Sequence, residues 1–159
     1  MSQLTLKNLL IDGDDSHLAT LVLRLAGGTI FAAHGAQKLF GWFGGYGLEG
    51  TGQWMASIGL EPGYLMALLA GSAEFFGGLA LILGLLTRPA AAVLAMTMVV
   101  AIFSVHIQNG LFMSNNGYEF GLALLALSVS LAFTGAGRLS IDRVLRERNQ
   151  EQNSALLAH

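Results

Sequence analysis

The sequence predicts an all-α integral membrane protein organised as a four-helix bundle. Hydrophobic residues make up 53% of its 159 residues and charged residues only 11%, and the mean hydropathy is +0.59. Soluble domains carry about 25% charged residues, so a soluble fold of this length could not hide so much apolar surface. A transmembrane helix needs about 20 mostly apolar residues. Four segments meet this need: residues 17–40, 63–86, 89–109 and 118–134.

Basic residues flank only one side of the predicted bundle. With four spans, Lys7, Arg88 and the arginines from Arg138 onward share a side, whereas loops 41–62 and 110–117 contain no Lys or Arg. Cytoplasmic loops carry the excess of basic residues, so we expect both termini in the cytoplasm and the Gly- and aromatic-rich loop 41–62 outside. Residues 17–145 then form a single transmembrane domain, 1–16 an N-terminal cytoplasmic or interfacial segment, and 146–159 a polar cytoplasmic tail.

The connecting segments carry weaker signals. Residues 50–59 suggest an interfacial helix with Trp54, Met55 and Ile58 facing lipid. Residues 45–50 match the dinucleotide pattern GxGxxG, but that pattern requires a preceding strand and a following helix, so we expect no nucleotide site. Thr87-Arg88-Pro89 suggests a tight turn before the third span. Ser140 is placed to cap a short helix, and the polar residues from 149 onward suggest a loose tail.

Charged residues and histidines stand within the apolar segments. The candidates are Arg24, His34 and Lys38 in the first segment, Glu74 in the second, His106 in the third and Glu119 at the start of the fourth. Ionisable groups in membrane spans are costly, usually face the bundle interior and are functional candidates. At about 1.5 Å per residue, His34, Lys38, His106 and Glu119 reach similar depths in the outer third. We therefore expect all six to line a connected polar interior, with these four at its outer end.

Glycines share the faces that carry these groups. Gly27, Gly28 and Gly35 lie on the stripe of Arg24, and Gly71, Gly77 and Gly78 lie on the stripe of Glu74. Small residues at helical spacing let two helices approach closely. The first two spans are therefore expected to pack together and to bring Glu74 near the cations of the first span.

Structural interpretations of the same residues stay open. Glu74 can be a structural ion pair with Arg24 or a protonated carboxyl, because buried carboxyls pair or neutralise. Lys38 can extend to the outer interface. Glu119 can simply mark a helix N-terminus, where its charge favours the helix dipole. A histidine in such a helix is often a satisfied structural residue.

Ordered motifs along most of the chain resemble the DoxX family of small bacterial membrane proteins. They run from His34-Gly35-Ala36-Gln37-Lys38-Leu39-Phe40-Gly41 and Ala70-Gly71 with Glu74-Phe75, through Val105-His106 with Asn109-Gly110, to Gly117-Tyr118-Glu119 and Gly135-Ala136-Gly137-Arg138. The resemblance covers roughly residues 18–145. It implies a four-helix protein of the bacterial inner membrane. The family is named after a subunit of a thiosulfate:quinone oxidoreductase, and other members are associated with thiol and oxidative stress or with quinone and catechol detoxification.

Four functions remain in competition. The first is a quinone-linked redox component, in which His34, His106 and Lys38 donate hydrogen bonds, Glu119 or Glu74 relays protons, and Phe31, Phe40 and Phe103 line an apolar slot. The second is a non-enzymatic scaffold or subunit of a redox complex. The third is a small proton-coupled transporter, for which four spans are few unless the chain forms a homo-oligomer. The fourth, weaker, idea is a haem held by His34 and His106.

Composition limits the cofactors and partners. A net charge of -2 gives no footprint for nucleic acid. With no cysteine, the chain has no thiolate nucleophile and no Cys-ligated zinc or iron–sulfur cluster, and no metal site is expected. The partners expected are the lipid bilayer, a quinone and a redox enzyme subunit.

Overall fold

The computed structural model describes residues 16–157. This part of the chain is all-α, as predicted, and contains six α-helices. They are α1 (Ser16–Phe40), α2 (Gly47–Ser57), α3 (Gly63–Leu83), α4 (Thr87–Ala101), α5 (Glu119–Thr134) and α6 (Ile141–Leu157). The expected N-terminal interfacial segment lies almost wholly outside the described residues.

Three helical segments are long and apolar enough to cross a membrane: His17–Phe40, Gly63–Leu83 and Thr87–Asn109. The helix predicted as the fourth span, α5, is apolar but has only 16 residues. It rises about 24 Å, which is less than the roughly 30 Å hydrocarbon core of a bilayer. Large apolar side chains are exposed along these helices, among them Leu69, Phe76, Met96 and Phe103. Their exposure fits a surface that faces lipid.

The third predicted span is not one continuous α-helix. After α4 the backbone widens into a π-helical turn at Ile102–His106 and then tightens into a 3-10 turn at Ile107–Asn109. Single π turns within α-helices are rare and are frequent at functional sites. The π turn ends at His106, one of the residues singled out from the sequence.

Glycines form the contact between α1 and α3, as predicted. A Cβ atom added to Gly78 would lie 2.5 Å from the backbone nitrogen of Ala32, and one added to Gly28 would lie 2.7 Å from the carbonyl oxygen of Gly78. A Cβ atom at Gly35 would collide with the backbone of Phe75. These distances are shorter than real Cβ contacts, so only glycine allows the two helices to pack this closely. We call this contact the glycine seam.

The apolar core lies between α1, α3, α4 and α5. It consists of Phe31, Leu81, Ala91, Leu94, Met98, Leu124 and Leu131. The short helix α2 packs against the start of α3: a Cβ atom on Gly63 would meet Ala56. Met55 is buried, contrary to its expected position facing lipid, whereas Trp54 and Ile58 are exposed.

The turns at the other end of the bundle depend on capping. Gly84 ends α3 with a φ of 65°, and the next residue, Leu85, donates to the carbonyl oxygen of Ala80, which closes the helix in the manner of a Schellman motif. The turn before α4 lies at residues 84–86 rather than at the predicted Thr87-Arg88-Pro89. The carboxylate of Asp142 accepts hydrogen bonds from the backbone nitrogens of Leu86 and Thr87.

Helix α6 is longer than predicted. Ser140 caps it, because its Oγ accepts a hydrogen bond from the backbone nitrogen of Arg143. The helix then continues to Leu157, so the expectation of a loose tail from residue 149 is wrong. The polar stretch consists largely of good helix formers, and an ion pair between Arg143 and Glu147 one turn apart adds support.

Candidate functional site

A cavity of about 350 Å³ opens between α1, α2, α3 and the segment from α4 to α5. Four of the six candidate residues line it: His34, Lys38, Glu74 and His106. We call it the histidine cavity. Most of the remaining lining is apolar, including Phe31, Trp54, Met98, Phe120 and Leu124. Its volume lies within the range of about 300–1,000 Å³ that is typical of small-molecule sites. The combination of apolar walls with a few polar groups is also typical of such sites.

An ion pair crosses from α1 to α3 at the wall of this cavity. The ammonium group of Lys38 donates to Oε2 of Glu74. The Glu74 side chain is 4% exposed and that of Lys38 is 24% exposed, so the cation is the more accessible partner of the pair. The glycine seam explains the geometry, since Gly71 brings the α3 backbone close to Cβ of Lys38. Glu74 thus pairs with a cation of the first span, as expected, but that cation is Lys38 and not Arg24.

Backbone contacts fix the orientation of the His106 ring. Its Nδ1 lies 2.8 Å from the carbonyl oxygen of Asn116, in the loop before α5. Because a carbonyl oxygen only accepts, Nδ1 carries the proton, and Nε2 of the neutral ring is an acceptor. The sequence interpretation had treated His106 as a donor toward a ligand. With Nδ1 engaged, Nε2 of the neutral ring can accept a hydrogen bond, and it can donate to a ligand only when the ring is protonated.

The aromatic walls differ in part from the expected slot. Phe31 is buried and lines the cavity, but Phe40 packs with Trp42 and Phe75 outside it, and Phe103 is 68% exposed on the bundle surface. The second aromatic wall is Phe120, whose ring centroid lies 6.0 Å from that of His34. The expectation for Phe40 and Phe103 is therefore wrong, because both rings turn away from the bundle interior.

Arg24 lies outside the histidine cavity and is 1% exposed. Its Nε donates to the carbonyl oxygen of Leu81 at 2.8 Å, Nη2 donates to Ile82, and Nη1 donates to Leu139 and Ala136. Four of its five N–H groups are thereby used on the end of α3 and on the α5–α6 connection. This arrangement, which we call the arginine clamp, ties three segments together and leaves little capacity for a ligand.

Glu119 also lies outside the lining of the histidine cavity. Its Oε1 accepts a hydrogen bond from the backbone nitrogen of Met113 at 2.6 Å, and the residue stands in the first turn of α5. A carboxylate in this place satisfies a loop amide and favours the helix dipole. The contacts of Glu119 therefore match the interpretation of a helix N-terminal residue.

Several lining residues were not predicted from the sequence to lie at a site, and two of them, Trp54 and Met55, were expected to face lipid. Trp54 and Met55 reach the cavity from α2, and Asn116 reaches it from the loop between the last two predicted spans. Asn116 has a φ of 59°, which asparagine tolerates better than most residues. No sequence signal distinguishes the inward face of α2, because apolar residues occupy both of its faces. Among residues 16–157, no group of three or more His, Asp or Glu side chains is placed to hold a metal ion.

The family model described as DoxX matches residues 19–107, more than half of the chain. Among curated proteins, the chain is 38% identical over 125 residues to the Bacillus subtilis protein named "Putative oxidoreductase CatD", covering 79% of this chain and 85% of CatD. It is 35% identical over 137 residues to the Escherichia coli inner membrane protein YqjF, covering 82% of this chain and 95% of YqjF.

A third relative is the inner membrane protein YphA of Escherichia coli, with 30% identity over 128 residues that cover 77% of this chain and 87% of YphA. No solved structure matches the chain. The family model, the inner-membrane relatives and the three membrane-length helices agree with one another. The chain is a multi-pass inner-membrane protein that belongs to the DoxX family.

Proposed function

We propose that this protein binds the head group of a lipid-soluble quinone in the histidine cavity and acts as a quinone-linked membrane component of redox physiology. The observation that carries the proposal is the placement of His34, Lys38, Glu74 and His106 around one apolar cavity of about 350 Å³. An apolar ring with two opposed oxygens needs this combination of apolar walls and a few polar groups. The name of the Bacillus subtilis relative, "Putative oxidoreductase CatD", agrees with a redox role.

Three of these four polar residues then have distinct tasks. The Lys38 ammonium has three N–H donors, of which one is used on Glu74, so the others can donate to a quinone oxygen. Nε2 of His106 can accept the hydroxyl hydrogen of the reduced, hydroquinone form. Glu74 keeps the ammonium in place. Reduction of a quinone consumes two electrons and two protons, and a partner redox enzyme would supply the electrons, since the residues of this chain bind and move protons only.

The two tryptophans of the chain allow a direct binding test. Trp54 lines the histidine cavity, whereas Trp42 lies outside it and stacks near Phe40. Trp42→Phe leaves Trp54 as the reporter, and Trp54→Phe leaves Trp42 as the matched control. Titration with a short-chain benzoquinone in detergent is expected to quench Trp54 fluorescence with saturation and to quench Trp42 only in proportion to concentration.

Equal, non-saturating quenching of both tryptophans would contradict the quinone proposal. It would favour the alternative that the protein is a scaffold in which the Lys38–Glu74 pair is structural. Solvent extraction of protein purified from native membranes, followed by mass spectrometry, is the companion measurement. It is expected to recover quinone from the wild-type protein.

We also infer that α5 is the fourth span and that both termini are cytoplasmic. Arg88, just after α4 begins, and Arg138, after α5, line one common cavity, so the two helices run antiparallel. A helix that packs antiparallel on a membrane span returns across the same apolar layer, and a short span is accommodated by local thinning of the bilayer. Reporter fusions at Asn149 and near Gly47 test the topology. We expect a cytoplasmic signal at Asn149 and a periplasmic signal near Gly47, and a periplasmic signal at Asn149 would refute the assignment.

A further inference from the structure

A second cavity, of about 380 Å³, lies at the end of the bundle where α1 and α4 begin and α5 ends. His17 marks its position on α1, about 25 Å along the helix from His34. It is therefore separate from the histidine cavity, with which it shares no lining residue. The charged side chains around it are Arg88, Arg138, Arg143, Arg146, Asp142 and Glu147. We call it the basic cavity.

The positive charge of the basic cavity is only partly neutralised. Four arginines face two carboxylates, and both carboxylates are already engaged. Asp142 accepts the backbone hydrogen bonds that cap α4, and Glu147 forms an ion pair with Arg143 at 2.6 Å. Within residues 16–157, Arg88, Arg138 and Arg146 have no carboxylate partner at ion-pair distance. Three guanidinium groups are thus available to an anion.

The place of the cavity indicates which anion. Guanidinium groups bind phosphate oxygens through paired hydrogen bonds, and basic pockets at the ends of membrane helices bind lipid head groups. Exposed apolar side chains flank the lining residues in sequence: Phe133 precedes Thr134 and is 79% exposed, and Leu139 follows Arg138 and is 69% exposed. Such side chains can pack against lipid acyl chains, whereas they would not contribute to the binding of a free ion.

We propose that the basic cavity binds a phosphate group, and that this phosphate is the head group of an anionic phospholipid. Arg88, Arg138 and Arg146 hold the phosphate oxygens, while the apolar rim at Phe133 and Leu139 contacts the acyl chains. The site is independent of the quinone proposal, because none of these residues lines the histidine cavity.

The test uses the full-length protein in a neutral detergent. Phosphatidylglycerol, phosphatidylcholine and inorganic phosphate are added separately, and the melting temperature is measured against concentration, because a ligand that binds the folded state raises it. Wild-type protein is expected to be stabilised by phosphatidylglycerol with saturation and much less by phosphatidylcholine. The variant with Arg88→Gln, Arg138→Gln and Arg146→Gln together is expected to bind phosphatidylglycerol about 100-fold more weakly.

The matched control is Arg148→Gln, on the same helix but outside the lining. It should keep the wild-type response. Single substitutions, each expected to weaken binding severalfold, replace the triple variant if that variant melts early without lipid. A comparable rise in melting temperature with inorganic phosphate would support the phosphate site but identify the soluble ion, and not the lipid, as its ligand. The proposal is overturned if neither phosphatidylglycerol nor inorganic phosphate gives a saturable rise in melting temperature, or if the arginine variants respond as the wild-type protein does.

Discussion

Helix α1 contributes a cation to two polar centres in the apolar bundle. The two centres differ in how the cation is hydrogen-bonded and in how far it is exposed. At the arginine clamp, the guanidinium group of Arg24 is 1% exposed and four of its N–H groups end on backbone carbonyls. At the histidine cavity, Lys38 makes one ion pair and remains 24% exposed beside an open space. A saturated, enclosed group holds a structure together. A group with unused donors beside a cavity has capacity for a ligand.

The largest expected effect is at the clamp. Arg24→Met leaves the carbonyl oxygens of Ile82, Ala136 and Leu139 without this donor, whereas that of Leu81 still accepts from the backbone nitrogen of Gly84. Each buried unsatisfied group costs about 1–3 kcal/mol. We expect the free energy of unfolding in mixed micelles to fall by more than about 4 kcal/mol.

Arg24→Lys is the companion variant, since it keeps the charge but cannot reach the same carbonyls. It should recover only part of the lost stability. The exposed Arg148→Met is the control and should change little. If Arg24→Met has the same melting temperature as the wild-type protein, the arginine clamp does not stabilise the fold. The proposed difference between the clamp and the histidine cavity would then be wrong.

A smaller loss of stability is expected at the ion pair. Lys38→Met leaves the Glu74 carboxylate, 4% exposed, without its cation, and unpairing a buried charge is strongly destabilising. Because Lys38 is partly exposed, water can reach the site, and we expect a loss of about 3 kcal/mol. The double variant Lys38→Met with Glu74→Leu should regain much of it. If the double variant is as unstable as Lys38→Met alone, the unpaired Glu74 carboxylate is not the cause of the lost stability.

The glycine seam joins the two centres, and neighbouring glycines of α3 test it. Gly78→Ala forces a Cβ atom against the backbone of Ala32 and Gly28, whereas Gly77→Ala meets only the side chain of Leu94 at 3.0 Å or more. Both substitutions gain the same helix propensity. Gly78→Ala is expected to lower the free energy of unfolding by about 2 kcal/mol, and Gly77→Ala to change it by less than about 1 kcal/mol. Equal effects would mean that α1 and α3 do not touch at Gly78.

The sequence predicted the long helices and their seam well, because span length and glycine spacing are local properties. The predicted segment 17–40 became Ser16–Phe40, and the fourth segment, 118–134, became Glu119–Thr134. The same rule marked Arg24 and Lys38 alike, as ionisable groups inside a span. Their different environments depend on what the other helices bring to them, which spacing along one helix does not encode.

The parts missed by the sequence come from connections. The carbonyl oxygens that hold Arg24 lie at the end of α3 and after α5, far away in the chain. Asn116 sets the tautomer of His106 from a loop with no helical period. Met55 turns inward because α2 packs on α3. Such contacts are properties of the assembled bundle.

The difference between clamp and cavity is tested most directly by quinone affinity in the Trp42→Phe background, with Trp54 as reporter. His106→Ala and His34→Ala remove cavity groups that stabilise the bundle little, since His34 makes no hydrogen bond and His106 only one within residues 16–157. Asn109→Ala is the matched control, because Asn109 also donates to the carbonyl oxygen of Asn116 but does not line the cavity.

We expect His106→Ala to weaken the affinity for a short-chain benzoquinone about tenfold, the equivalent of one good hydrogen bond, with the melting temperature nearly unchanged. His34→Ala should act in the same direction, and Asn109→Ala should keep the wild-type affinity. Unchanged affinity in both histidine variants, together with a lowered melting temperature, would contradict this and make the histidine cavity a structural centre like the clamp.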